Sequence, residues 1–573
     1  MPTTARVFQS RFAFRGLSID APPRRYLVLV CNICLVFLFA TTSLAQQPLG
    51  VEPNATQIGE PELSRSIALG ASLERERKWN EAIRHYEKAS RDYPDSRQIY
   101  QRLVICRLHY DVNRRYGDKS FVASAHTMSS SQALDLYSEV LANLETHYVE
   151  SIDWSRVLLH GTAAFEIALA ENRFVNDALP GKDLGILHDF QQNIHRRISD
   201  RPSGSRFDLR ATVAHVAEIA RQEIGLNPTA TVLEYVGGAI CTLDPYTRLL
   251  SGDQLDDMFS NIEGNFVGLG VELETNSDSL KILSVIPGGP AAESGLKPGE
   301  RIVRVEHADT RQSNPEIAAD LLRGLENTFV SISIESPQGE IRDLRIARRR
   351  VEVPCVENVH LVDPTSRIGY LRLTNFQKTT TRDVERALWD LHRQGMRALV
   401  LDVRGNPGGL LSAAVEVADR FLSNGRIVTT RGRNTRENFD YVAHRANTWD
   451  VPLAVLIDGD SASASEIFAG AISDSNRGIL IGQRSYGKGS VQGIFRMQSA
   501  KFGLCLTTAK FYSPNGTAIS QNGVAPDYSV DSPYIAARPD SDGHVTLDAE
   551  DVVLQEAVQK LAANNQLISR RTP

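Results

Sequence analysis

Two short stretches of this chain carry residues able to do covalent chemistry. Ser461-Ala462-Ser463-Ala464-Ser465-Glu466 offers three hydroxyls, and Gly487-Lys488-Gly489-Ser490-Val491-Gln492 offers one amine between glycines. A hydroxyl near its ordinary pKa is a poor nucleophile and needs a proton acceptor beside it; a desolvated, neutral lysine can serve. A serine nucleophile with a lysine base is the chemistry this pairing supports. Each stretch also has a plainer reading. Serine is a favoured helix N-cap, and the cluster stands between a strand pattern, Leu453 to Ile457, and a helical run, Ile467 to Ile472. At such a helix start the unpaired N–H groups and the dipole also favour developing negative charge. Gly487 and Gly489 disfavour helix and permit close backbone approach, so Lys488 is no ordinary surface-helix lysine.

Two competing chemistries fall away on spacing. Gly482 to Lys488 satisfies most of a phosphate-binding loop, but that loop needs Ser or Thr directly after the lysine to hold magnesium, and Gly489 stands there. The next segment, Val491 to Arg496, reads as a strand and not as the helix such a loop opens. No histidine stands in a recognisable partner motif; His392 and His444 are the nearest in sequence, and no Gly-x-Ser-x-Gly elbow surrounds Ser463.

The elements that must position these residues read as an α/β core. Ile368 to Leu373 is a buried strand, Arg382 to Arg393 an amphipathic helix and Ala398 to Val403 another strand. Gly405-Asn406-Pro407-Gly408-Gly409 then turns into a helix around Ala413 to Leu422. Strands alternating with helices put chemistry at the strand-to-helix turns. Ahead of this core, Phe266-Val267-Gly268-Leu269-Gly270-Val271, the strands Val271 to Glu274 and Leu280 to Val285, and the run Pro290 to Ile302 resemble a PDZ domain ending near Arg349. In that family a glycine-containing loop presents N–H groups to a peptide's terminal carboxylate, and the adjacent strand edge accepts the peptide. The plain alternative is an ordinary β-rich domain with turn glycines.

Upstream the pattern is helical. From Glu62 to about Tyr116, Leu69, Gly70, Leu73, Ala82, Tyr86, Ala89 and Pro94 resemble one tetratricopeptide repeat, with the small residues permitting close approach and Leu69, Leu73 and Tyr86 filling the gap. Residues 131–250 are mostly helical, but between about Glu171 and Pro228 the hydrophobic pattern weakens, and Arg201-Pro202-Ser203-Gly204-Ser205 has the composition of a loop or insertion. At the other end, Arg24 and Arg25, the apolar run Tyr26 to Ala40 and Ser43-Leu44-Ala45 form a secretory signal, with an uncleaved anchor as the alternative. Either form exports the body of the protein to a periplasmic or other extracytoplasmic space.

Composition bounds the rest. A chain of 573 residues exceeds what one core usually supports, which predicts three or four domains. A net charge of −6, with no long basic run, argues against nucleic acid as a partner. Cys31 and Cys34 fall in the signal, and Cys106, Cys241, Cys355 and Cys505 are scattered singly among apolar neighbours, which predicts buried free thiols and neither a metal site nor a redox pair. No cofactor is expected.

Taken together and in order, the serine and lysine blocks, Leu401-Asp402-Val403-Arg404-Gly405-Asn406-Pro407-Gly408-Gly409, Leu243-Asp244-Pro245, Pro514-Asn515-Gly516 and Gly523-Val524-Ala525-Pro526-Asp527 resemble the carboxyl-terminal processing, or tail-specific, proteases over roughly Ser131 to Val530. The resemblance implies Ser463 as nucleophile, with Lys488 as base twenty-five positions later and Gln492 holding the lysine amine by a hydrogen bond. It implies oxyanion donors at the N–H of Ala464 and of Gly408 or Gly409, and peptide binding by Phe266, Gly268, Leu269, Gly270 and a sensing arginine, Arg323. Ser461 and Ser465 then line the helix start, and Glu466 helps order the turn.

The architecture implied is a multidomain α+β chain. A signal at 1–45 precedes a tetratricopeptide-like helical segment at 46–130 and a helical protease region at 131–250, carrying the insertion near 171–228. A β-sandwich-like PDZ domain at 251–349, an α/β core of ClpP/crotonase-like type at 350–530 and a C-terminal helical tail at 531–573 complete it. Its substrates are proteins with exposed C-terminal tails, cut through an acyl-enzyme. The helical leader and the helix around Val552 to Ala563 are candidate contacts for a homodimer or adaptor, and an uncleaved signal associates the protein with a membrane. A non-catalytic PDZ scaffold that binds C-termini is the alternative from another class.

Overall fold

The computed structural model describes residues 60–569, apart from 199, 276–279, 311–320, 445, 447 and 532–550. The signal-like leader, and with it the expectation of export or anchoring, lies outside the described residues. No described helix is long and apolar enough to cross a membrane.

Residues up to Cys106 form one compact unit. Its helices Glu60–Arg75 and Trp79–Asp92 pack around Ala82, Tyr86 and Ala89, joined by Ile99, Leu103 and Cys106 from the start of Arg97–Arg115. Gly70 lies so close to the Tyr86 ring that a Cβ there would come within 2.2 Å of it. The Tyr86 hydroxyl donates to Glu74 (2.7 Å), which also accepts from Arg102 (3.0 Å), so the polar end of the ring is satisfied inside the helix pair. Leu69 departs from the expected packing. It is 56% exposed, because neighbouring Gly70 and Leu73 take the inward face of the helix.

The second unit begins with helices centred on Pro228–Cys241, which is buried along nearly its whole length. Glu234, inside it, is fully buried but neutralised: Arg115 donates two bonds to its carboxylate (2.9 and 2.7 Å) and Tyr116 a third (3.0 Å). The weak pattern from Glu171 to Pro228 is not a loop. It folds as Asn172–Ala178, Leu184–Ile198 and Arg206–Ile224, joined by short turns around residues 179–183 and around Arg201 to Ser205, where the composition is that of a loop. Each longer helix buries a narrow stripe, Leu187, Phe190, Ile194 and Ile198 in one, Leu209, Val213, Val216 and Ala220 in the other, among charged neighbours that dilute the periodicity.

A sheet of six antiparallel strands follows, Val271–Thr275, Leu280–Val285, Arg301–Val305, Phe329–Glu335 and Ile341–Ala347 in that order, with the short Ala308–Asp309 paired to Arg301–Val305. Val271–Thr275 is an edge strand. The chain enters this domain along Asn265–Gly268 and leaves it along Arg349–Glu352, and these two segments pair antiparallel with each other.

The core sheet runs Val356–Asp363, Ile368–Leu373, Ala398–Asp402, Leu453–Ile457, Ile479–Gly482 and Tyr528–Ser529, parallel after its first hairpin. Alternation along a strand divides the two faces. Leu399, Leu401, Val455 and Ile457 join the helices Thr380–Arg393, Leu411–Asp419 and Ala464–Asp474, while Val400, Ala454, Leu456 and Ile481 face Val553, Leu554, Ala557 and Leu561 of Val552–Ser569. The helix expected among candidate dimer contacts thus spends this face on its own sheet, as parallel sheets covered on both sides require. A second, antiparallel sheet joins Arg248–Leu250, Ser490–Arg496, Gly503–Tyr512, Arg426–Arg431 and Phe439–Val442. Ala557 has no exposure, so Ala557→Glu should place an unpaired carboxylate against the sheet and destabilise the core by roughly 3 kcal/mol or more, read as a lowered Tm.

Candidate active site

The helix Ala464–Asp474 starts directly after Ser463, whose backbone is held at φ 56°, ψ −112°. Left-handed φ at a residue other than glycine costs on the order of 1 to 3 kcal/mol and persists only where surrounding bonds enforce it. Those bonds come from two sides. The Ser463 N–H donates to Glu466 Oε2 at 2.7 Å. On the other side, the carbonyl of Asn406 accepts from the Ala462 N–H and the Ser465 hydroxyl, both at 3.0 Å.

The three serines separate clearly. Ser461 is buried, accepts from the Asp458 N–H and donates toward Val403 O (2.9 Å) and Asp458 Oδ1 (3.1 Å). Ser465 is buried on Asn406 O. Ser463 alone of the three is only half-buried.

Glu466 has no exposure, and it ties this turn to the lysine loop. Its Oε1 accepts from the Ser485 hydroxyl and the Gly487 N–H, each at 2.6 Å, and its Oε2 accepts from the Lys488 N–H at 2.9 Å. The loop that resembled a phosphate cradle therefore points its N–H groups at a carboxylate of its own chain.

The Lys488 side chain runs to the ring of Tyr246, with Nζ 4.9 Å from the centroid. Burial lowers its pKa below the ordinary lysine value, and Arg248 adds to that, while Cys505, Asp244 and Glu466 oppose it. Asp244 explains the Leu243-Asp244-Pro245 motif. It accepts from the N–H groups of Tyr246 (2.8 Å) and Thr247 (2.9 Å) and from the hydroxyls of Thr247 (2.6 Å) and Thr507 (3.0 Å), fixing the turn that carries Tyr246. Tyr246 was not singled out from sequence, and no spacing rule could have found it.

Gln492 does not meet its expectation. Its amide nitrogen donates to Ser490 Oγ (2.9 Å) and O (3.2 Å), and among the described residues it makes no bond to Lys488. A register shift between Val491 and Gln492 re-aims the side chain along its own strand.

The glycine turn abuts the serine turn. A Cβ on Gly408 would meet Ala462 O at 2.6 Å, Ser463 Cβ at 2.8 Å and Ala464 N at 2.9 Å, and one on Gly409 would meet Phe376 O at 1.9 Å. Both sit at positive φ, 102° and 139°, so glycine is required twice over. The Gly408 N–H is engaged by Asn406 Oδ1 at 2.9 Å, whereas that of Gly409 has no acceptor among the described residues. The Ala464 N–H is the first of its helix and has no intrahelical acceptor.

The peptide-binding candidates lie elsewhere in this unit. Phe266 and Gly268 are on the entry strand, Leu269 is buried with its carbonyl on the Ala291 N–H (2.8 Å), and Gly270, at φ 81°, accepts from the Ile286 N–H (2.9 Å). Arg323 is exposed and pairs with Asp257 at 3.4 Å, not with the lysine loop. His392 stacks with Trp389 and Trp449, and His444 pairs with Asp419, so neither addresses Ser463. Of the four described cysteines all are free thiols, three of them buried and Cys241 partly so.

Glu466→Gln replaces one acceptor oxygen with a second donor facing N–H groups. It should destabilise the protein by about 1.5 to 3 kcal/mol and speed hydrogen exchange at Gly487 and Lys488 selectively; unchanged protection there would contradict the clasp.

Residues 367–530 match peptidase family S41, and residues 258–335 match the PDZ domain. The chain is 36% identical to a carboxy-terminal-processing protease of Bartonella bacilliformis over 52% of its own length and 69% of that protein's. It is 35% identical to a carboxyl-terminal-processing protease of Synechocystis over 52% and 70%, and 31% identical to one of Picosynechococcus over 61% and 84%. With the PDZ domain ahead of the core and the serine and lysine turns joined within it, this chain belongs to the carboxyl-terminal-processing serine proteases of peptidase family S41.

Proposed function

We propose that the protein cleaves polypeptides near their C-terminal tails with Ser463 as nucleophile and Lys488 as base. The observation that carries this reading is the Glu466 clasp, which fastens the Ser463 turn and the Lys488 loop to one carboxylate while the other two serines are spent inside the fold. A desolvated amine is neutral over more of the pH range and can take the hydroxyl proton as Ser463 Oγ attacks the scissile carbonyl. The Gly409 and Ala464 N–H groups then receive the oxyanion, at about 2.7 to 4 kcal/mol per donor in comparable sites. Lys488 returns the proton to the leaving amine, and water, deprotonated by the same lysine, releases the acyl group from Ser463. Gln492 orients the lysine only after its amide leaves Ser490, a step we assign to the substrate-bound form.

The PDZ domain supplies the tail preference. Its edge strand Val271–Thr275 follows the segment Phe266 to Gly270, whose first half is the entry strand, an arrangement that suits an added peptide strand ending in a free carboxylate. Arg323 belongs to this reading as a sensor that exchanges Asp257 for the bound tail. Export of the mature protein goes with it, tested by fractionation of cells expressing the full chain; recovery wholly in the cytosol would overturn that part.

An unstructured substrate with a free C-terminus provides the main test. Ser463→Ala and Lys488→Ala should each lower its cleavage by roughly 10⁴-fold or more, with the fold retained by circular dichroism. Cleavage by either variant at the parental rate would sink the assignment. In the parent, kcat/KM should rise with pH through a midpoint below the ordinary lysine range, because the lysine must lose its proton to act and burial lowers its pKa.

A further inference from the structure

One short segment, Asn375 to Lys378, touches both ends of the molecule's working path. On one side it holds the glycine turn. The Phe376 N–H donates to Gly408 O (2.9 Å) and the Leu410 N–H donates to Phe376 O (2.7 Å), so Phe376 and Gly409 form an isolated parallel bridge. On the other side it holds both backbone segments that connect the PDZ domain to the core. Gln377 Nε2 donates to Val353 O (2.7 Å), just past the exit strand, and the Lys378 N–H donates to Ile262 O (3.0 Å), just before the entry strand. Those two connections are themselves joined, Val353 N–H to Gly264 O at 2.8 Å.

Gln377 is the hub of this contact. It is 3% exposed, its backbone N–H is fixed by Thr380 Oγ1 (2.8 Å), and its amide nitrogen is shared with Thr379 Oγ1 (3.1 Å). It packs so tightly on the entry segment that a Cβ on Gly264 would come within 2.6 Å of its Nε2. A displacement of the PDZ connections therefore has a direct mechanical route to Phe376 and from there to the Gly409 N–H. No residue from Asn375 to Lys378 belongs to the nucleophile, the base or the peptide-binding segment.

We propose that Gln377 is a positioning residue through which occupancy of the peptide groove sets the geometry of the oxyanion donors. The inference rests on the proposed function above, since it takes the PDZ loop as the tail site and Gly409 as an oxyanion donor. A free tail bound at Phe266 to Gly270 loads the entry strand, and its partner Arg349–Glu352 carries that load to Val353. Gln377 couples Val353 to the bridge that aims the Gly409 N–H. Tail binding is in this way converted into turnover rather than into affinity alone.

The experiment uses the full chain and one unstructured polypeptide in two forms, with a free C-terminal carboxylate and with a C-terminal amide. For the parent, kcat should be higher on the free form. In Gln377→Ala and in Gln377→Met, which keeps the volume and removes the donor, the ratio of kcat on the free form to kcat on the amide should fall about tenfold, within the range typical of coupled sites. A fluorescent peptide with a free C-terminus, titrated in a Ser463→Ala background, should bind with Kd changed by no more than about twofold, since the groove is untouched. A ratio preserved while both rates fall, or a Kd that weakens in step with the ratio, would overturn the proposal. A parent that cleaves neither form, or both alike, would instead overturn the tail-binding reading on which it stands.

Discussion

A single buried carboxylate holds this active site in register. Glu466 accepts from Ser463, Ser485, Gly487 and Lys488, four donors drawn from a helix start and from a loop about twenty residues further along the chain. A carboxylate without exposure is costly unless its oxygens are fully occupied, and here the occupants are the backbone groups that must be held still. Desolvation and order are thus obtained together. The strained Ser463 backbone, the lysine loop and the glycine turn on the far side hold their places through bonds to one another.

The strands and helices of the core were legible because their patterns are strong. Ile368–Leu373 and Leu453–Ile457 appear at the expected boundaries, both buried on two faces. The serine and lysine turns each had a plainer reading, as a helix cap and as a phosphate loop, and were legible as a pair only beside the other motifs that resemble the protease family. Charge-diluted helices such as Arg206–Ile224 were not, since a narrow buried stripe leaves little periodicity to detect. Nor was the antiparallel sheet built from Arg426–Arg431, Phe439–Val442 and Gly503–Tyr512, whose partners are far apart in sequence.

Within the candidate site, the family resemblance pointed to Ser463 and Lys488 and left Gly408 and Gly409 both open as oxyanion donors. The two glycines differ only in the folded turn, where the Asn406 side chain occupies the Gly408 N–H and leaves that of Gly409 without an acceptor among the described residues. Tyr246 escaped notice for a related reason. Its contribution lies in where Asp244 aims it, and aim is a property of the folded turn, as is the diversion of Gln492 onto Ser490.

The C-terminal helix bears on the same turn from behind. Asp551, at its start, makes two bonds to Arg404 (2.9 and 2.8 Å), whose guanidinium also grips the fully buried Asp402. Arg404 leads directly into Gly405 to Gly409, so the glycine turn, to which we assign an oxyanion donor, is braced by a residue 147 positions downstream. A contact of such long sequence separation pays its loop-closure entropy before it rewards the chain. Asp551 is made after every residue of the serine and lysine blocks, so the sheet face behind the glycine turn can close only once those blocks have already been synthesised. The brace on the glycine turn is in this way among the last contacts the chain is able to make.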